Sequence, residues 1–462
     1  MMLSALELIT CVFIVTLYRY NYKPDWYSFL SSPPGWLCAV AGMGVCTAAS
    51  LSIWRARALS WASLRRTVIR NGLIAALVIV PAEFSVRWLA FSDLAGQHIG
   101  KLLLRPRDWD AVVDRYSRML DQFESAPTFF VTDPILGWTV GKERRSLDGL
   151  LISTAEGIRS PAEIKTYVGS HSACRVAVVG DSFALAERVQ FHESWGARLE
   201  GRLKPDCQVL NFGVSGYSIG QMFLRFKQDI LPWHPDVVVV AFTDGALSRT
   251  MGMYGFLVMT DWECPWAQPR FTMDGPRLVQ VNSPLPQPRE IFSRKSILEL
   301  PYISYDRWYL SSEWEQRYWD LAYKSYGFRL VTSLYPLFET GRAEVSEDAL
   351  WDVNTALIRS LQELAAANGT EPIIAYLPTR EDLKPDKKKV YTPALMEGVG
   401  GTFVDATMCL KTVEADERFV INNSHYSATG NQAIADCLLP DVQHALAKGR
   451  EHSKEKVPSV HG

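Results

Sequence analysis

The 462-residue chain lacks the signatures of several large function classes. It has no H-E-x-x-H pair, no Walker loop and no paired C-x-x-C, so neither a metal nor a nucleotide cofactor is expected. Eight cysteines are too few for a disulfide-built scaffold. Forty-eight basic and 50 acidic residues leave a net charge of −2, which gives no electrostatic footprint for nucleic acid. Internal repeats and low-complexity segments are absent. With 48 % hydrophobic and 21 % charged residues, the chain is not of the disordered class.

Charge is present but unevenly spread. Residues 1–91 hold 8 basic and 3 acidic residues, net +5, and the remaining 371 hold 40 and 47, net −7. The basic part carries long apolar runs. Trp36 to Trp54 is 19 residues without a charge, close to the span of a ~30 Å hydrocarbon core, with a Trp at each end. Leu3 to Tyr18 is broken only by Glu7. Gly72 to Phe91 is uncharged to Ala82 and then carries Glu83 and Arg87, one helical turn apart. Three transmembrane helices are expected within residues 1–91. Arg55, Arg57, Arg65, Arg66 and Arg70 separate the second and third runs with no acid among them, which places that loop in the cytoplasm. Everything after Phe91 is then exported. The expected location is the inner (plasma) membrane, multi-pass, with the larger domain on the periplasmic or extracellular side.

Residues 92–170 read as a helical connector followed by a small β-rich lead-in (DPILGWTV, DGLLIST, EGIRS). From 171 to 447 apolar runs alternate with helical patterns. RVAVV (175–179), CQVLNF (207–212) and DVVVVAF (236–242) are three strands. PIIAYL (372–377) and TFVDA (402–406) are a fourth and fifth. Ser346 and Gly369 bracket the clearest helix as cap and stop. The alternation predicts an α/β fold, a parallel sheet with helices on both faces. Residues 245–345 read as one insertion rich in Pro, Trp and Tyr. Residues 448–462 read as a disordered polar tail.

Three segments carry chemistry. Gly180-Asp181-Ser182 follows the first strand, at the carboxyl end of the sheet, where open α/β folds bind ligands. Asn211-Phe212-Gly213-Val214-Ser215-Gly216 ends the second strand, with glycines that free backbone N–H groups. His425, in HYSATGN, opens a terminal helix expected over Gln432 to Ala445 and can reach back to the first strand. His234, in PWHPD, reads as a turn residue, and Gly398-Val399-Gly400-Gly401 as a turn before the last strand. Cys174 and Cys207 each lie six residues before a motif glycine on strands expected to be neighbours. They could form a disulfide or remain two buried thiols. Five cysteines follow residue 91, so at least one stays unpaired within the chain.

These three segments, in this order, resemble the blocks of the SGNH hydrolases, the GDSL esterase/lipase family. The resemblance covers residues 171–447, and the DPILGW lead-in is similar to the segment that precedes this domain in membrane-anchored members. It implies a three-layer α/β/α sandwich around a five-stranded parallel sheet. It implies Ser182 as nucleophile, His425 as general base, and an oxyanion hole from the N–H groups of Ser182 and Gly216. Two positions depart from the family. Thr243 stands where the third oxyanion donor is Asn, and a Thr hydroxyl can donate one bond. Asn422 stands where the block V D-x-x-H has Asp, so it is the expected third catalytic residue, without a charge to stabilise an imidazolium. The carboxylate is then dispensable, replaced by a backbone carbonyl, or supplied by Asp416 or Glu417. Asp181 reads as structural.

The implied reaction is hydrolysis or transfer of an ester-linked acyl group, such as acetyl. The expected partners are an acylated glycan or small ester as substrate and the lipid bilayer through the N-terminal helices. Two other readings stand beside it. One is a catalytically inactive member that binds glycan or a partner in an export assembly. The other is a lipase or thioesterase with an acyl pocket shaped by the aromatic insertion.

Overall fold

The computed structural model describes residues 61–92, 96–104, 109–126, 128–170, 172–203, 207–259, 262–309, 324–334, 347–384 and 398–455. The chain forms two compact units, 1–112 with 311–342, and 113–310 with 343–462. The apolar runs at 3–18 and 36–54, and the Ser346 cap, lie outside the described residues.

In the first unit one helix, Trp61–Leu89, contains a 21-residue stretch, Ile69–Leu89, long and apolar enough to cross a membrane. Leu73, Leu77, Phe84 and Trp88 on it are each more than 60 % exposed. Glu83 pairs with Arg87 at 3.3 Å, the one-turn contact that their spacing predicts. Glu83 also accepts the N–H groups of Tyr326 and Gly327, both at 2.8 Å, at the start of a second helix, Tyr326–Leu334. Of the expected insertion 245–345, the described residues 324–334 fall in the first unit and 245–259 and 262–309 in the second. The region after Phe91 is not all helical connector. Three two- to three-residue antiparallel strands lie between Phe91 and Leu103, before the helix Trp109–Ser125.

The second unit holds the α/β fold. The lead-in is a hairpin of β1 (Phe130–Asp133) and β2 (Gly137–Val140). The central sheet follows: β3 (Cys174–Gly180), β4 (Cys207–Asn211), β5 (Val237–Phe242), then, after a small hairpin of β6 (Phe271–Asp274) and β7 (Arg277–Gln280), β8 (Glu371–Tyr376) and β9 (Thr402–Asp405). The order across the sheet is β9-β8-β5-β3-β4, all parallel. All five apolar runs are thus strands. β3 and β5 are central and buried on both faces, which is why they read as unbroken Val and Ala.

Alternate residues feed two cores. Val176, Val178 and Val239 pack with Trp195, Leu199 and Leu438 on one face. Ala177, Val179 and Val240 pack with Tyr217, Met222 and Leu357 on the other. Each fully buried aliphatic side chain contributes about 1.5–3 kcal/mol, so a charge at Val239 would break the sheet at its centre. The helices that cover the faces are α1 (Ser182–Leu185), α2 (Trp195–Arg202), α3 (Ile219–Arg225), α4 (Asp244–Arg249), α5 (Glu347–Ala367) and α6 (Ala428–Glu455). Gly369, at φ +75°, ends α5 as its composition predicts. α6 runs to Glu455, past the point where a disordered tail is expected from Gly449.

Cys174 and Cys207 are register partners on β3 and β4, with Cα atoms 4.6 Å apart, and form a disulfide. A second disulfide joins Cys409 to Cys437, Cα atoms 5.8 Å apart, which the spacing did not reveal. Cys264 is the odd thiol among the described residues, and burial pushes its pKa up.

Candidate active site

Ser182 owes its place to the residue two before it. Gly180 lies so close to the Ala241 carbonyl that a Cβ would overlap it, and β3 can therefore end flush against β5. Asp181 then caps α1 by accepting the Phe183 N–H at 3.0 Å, which turns the chain sharply and leaves Ser182 first in the helix. The Asp181 side chain is 1 % exposed. Its other oxygen accepts the Thr243 hydroxyl at 2.7 Å and Arg249 Nη2 at 2.9 Å. Asp181 is structural, as its position suggests.

Gly213 and Gly216 sit on the turn after β4. Asn211 holds that turn to α1: its amide donates to the Ala184 carbonyl, and its oxygen accepts the Gly213 N–H, both at 2.9 Å. Trp138, from the DPILGW segment, donates its indole N–H to the Ser215 carbonyl at 2.9 Å. Gly216 has φ +77°, and a Cβ there would lie 2.5 Å from Met259 Sδ. Neither the Ser182 nor the Gly216 N–H is used within the fold among the described residues.

His425 lies on a tight loop before α6. Its backbone N–H donates to Asn423 Oδ1 at 2.9 Å, and its ring Nδ1 lies 2.7 Å from the same oxygen. An amide oxygen can only accept, so the Nδ1 carries the proton and Nε2 is the free base. Nε2 lies 2.8 Å from Ser182 Oγ. The Phe183 ring stacks on the imidazole, centroids 4.8 Å apart. Burial pushes the His425 pKa below its ordinary value; Glu187 and Asp181 oppose the shift, and Arg188 adds to it.

Two expected roles change. Asn423, not Asn422, touches Nδ1. Asn422 takes a left-handed φ of +57°, the bend that carries the loop round, and the shorter N-x-H reach is an Asx turn closed by Asn423. Asp416 and Glu417, the alternative carboxylates for this place, make no hydrogen bond to the ring among the described residues. Thr243 is not a third oxyanion donor through its hydroxyl, because its one proton is given to Asp181. Three residues at the site gave no signal in the motifs: Asn423, Arg249 and Glu187. An Asn two residues before His425 has the spacing of an Asx turn, but that spacing alone does not separate Asn423 from Asn422.

A serine from residue 182 and a histidine from residue 425 meet at the carboxyl ends of a five-stranded parallel sheet, the place that the resemblance assigns them. The chain has an α/β fold with a five-stranded parallel sheet and helices on its faces. No family model matches the sequence, and no curated protein matches it. Solved structures similar to it include a protein from Desulfitobacterium hafniense described as lipolytic and of the G-D-S-L family (13 % identity, 58 % of this chain and 98 % of that one, TM-score 0.29). An acetylxylan esterase from Geobacillus stearothermophilus aligns at 14 % identity over 59 % and 94 %, TM-score 0.31. An alpha/beta hydrolase enzyme from the metagenome of Lake Arreo aligns at 13 % identity over 60 % and 97 %, TM-score 0.33. These overlays are loose. The strand order and the Ser182–His425 contact are observations on this chain alone. Among the described residues no cluster of His, Cys, Asp and Glu is arranged to hold a metal ion.

Proposed function

We propose that the chain is a serine ester hydrolase or acyl transferase. The observation that carries this is the 2.8 Å contact between Ser182 Oγ and His425 Nε2. As Ser182 attacks an acyl carbonyl, Nε2 takes its proton, and the carbonyl becomes a tetrahedral oxyanion that the Ser182 and Gly216 N–H groups can meet. Collapse expels the alkoxide, which takes the proton from the imidazolium and leaves acyl-Ser182. Water, or an acceptor hydroxyl, then gives its proton to Nε2 and carries the acyl group away. Asn423 keeps the ring in the tautomer that leaves Nε2 basic, the role that neutral Asn fills in papain-like proteases.

The finer reading is a membrane-tethered enzyme outside the cytoplasm, acting on acylated glycans. The apolar stretch Ile69–Leu89, the arginines at 55–70 and two disulfides in the hydrolase unit support export. The glycan rests on the family resemblance.

The test uses the full chain in detergent with p-nitrophenyl acetate and a fluorophosphonate label. Ser182→Ala should lose at least about 10³-fold in rate and all labelling. Hydrolysis equal in wild type and Ser182→Ala would sink the proposal.

A further inference from the structure

Asn423 orients His425 but brings no charge to the imidazolium that forms during catalysis. Two acidic residues, Asp181 and Glu187, are tied to the turn that carries Ser182. The charge of Asp181 is spent. It is buried and bonded at once to Arg249 Nη2, Thr243 Oγ1 and the Phe183 N–H. Glu187 is held differently. Its backbone N–H donates to the Ser182 carbonyl at 3.2 Å, which fixes its place at the end of the nucleophile's own helical turn. Its Oε2 lies 2.5 Å from the Ser215 hydroxyl, one residue before Gly216. Among the described residues it pairs with one cation, Arg188 at 3.6 Å, and both side chains of that pair are partly exposed (22 % and 42 %), so the pairing is weak.

We propose that Glu187 is a positioning residue for the acyl-transfer site: its carboxylate supplies the negative charge that Asn423 lacks, and its bond to Ser215 holds the turn that presents the Gly216 N–H. The assignment rests on the hydrolase reading above. The charges of Glu187 and Asp181 favour the His425 imidazolium, and that of Arg188 disfavours it. One residue thus ties the nucleophile's turn, through its backbone, to the oxyanion turn, through its carboxylate. It enters the sequence five residues after Ser182, in a segment where no motif marks it.

Glu187→Gln and Ser215→Ala separate charge from anchoring. Gln keeps the length and can still bond Ser215, whereas Ser215→Ala cuts that bond and keeps the charge. In the full chain, Glu187→Gln should move the acid limb of kcat/KM to lower pH and lower kcat about tenfold, with KM within about twofold. The rate of fluorophosphonate labelling against pH should show the same shift. Ser215→Ala should lower kcat with the acid limb in place. An acid limb that stays put in Glu187→Gln, with losses equal to those of Ser215→Ala, would reduce Glu187 to a structural tie and overturn the proposal. Failure of the hydrolase reading looks different: Ser182→Ala would then match wild type in both assays.

Discussion

Thr243 Oγ1 lies 2.7 Å from Asp181 Oδ2, and that bond takes the threonine out of the oxyanion site. Its role is to satisfy a buried carboxylate. Thr243→Val keeps the shape and removes the donor. It should destabilise the protein by about 1.5–3 kcal/mol, the cost of losing a hydrogen bond to a buried charge, and lower kcat by less than about tenfold. Urea denaturation and steady-state kinetics check this. A 10²–10³-fold loss of kcat at unchanged stability would restore an oxyanion role.

Asn423 and Asn422 are neighbours of the same type with opposite expected behaviour. Asn423→Ala frees the imidazole to swing and to change tautomer. It should cost about 10²-fold in kcat, as small misplacements of a catalytic group do, with KM little changed. Asn422→Gly keeps the left-handed bend, which glycine adopts without strain, and should leave kcat within about threefold. The reverse ranking would return the third position to Asn422.

The sheet was readable because burial on both faces writes itself as unbroken apolar runs, and even the short runs at 372–377 and 402–406 hold as β8 and β9. Ser182 and His425 were readable because the fold needs a glycine-bounded turn before one and a terminal helix after the other. Asn423 was not, because a D-x-x-H spacing and an Asx turn differ by one residue and only backbone dihedrals tell them apart. Glu187 and Arg249 were hidden for another reason. Their roles come from contacts with the β4 turn and with Asp181, which no local pattern encodes.

Gly216 tests the oxyanion turn. Alanine there must adopt φ +77° and meet Met259 Sδ at 2.5 Å. Strain of about 1–3 kcal/mol at such a position would shift the turn and its N–H. Gly216→Ala should therefore lower kcat by 10-fold or more, while far-ultraviolet circular dichroism stays that of wild type. Unchanged kcat would exclude the Gly216 N–H from the site.

The Cys174–Cys207 bridge spans 33 residues at the start of β3, at the opposite end of the strand from Ser182. Replacing both by Ala should cost about 2–4 kcal/mol in stability by releasing the unfolded chain, with kcat near wild type below the melting temperature. The urea midpoint under non-reducing conditions measures it. A midpoint equal to wild type would argue against the bridge.

His425 links activity to stability through pH. Burial holds its pKa in the folded protein below the ordinary 6.5, against the pull of Glu187 and Asp181. The acid limb of kcat/KM should therefore lie below pH 6.5. The same shift acts on folding. Because the unfolded chain binds the proton more readily, stability is full above about 6.5 and is lost as pH falls through the folded pKa. His425→Gln removes that loss and leaves every other titration in place. The stability difference between wild type and variant should thus be constant above pH 6.5 and move in favour of the variant below it. A difference that moves toward wild type on acidification would mean that the ring gains more from Glu187 than it loses by burial.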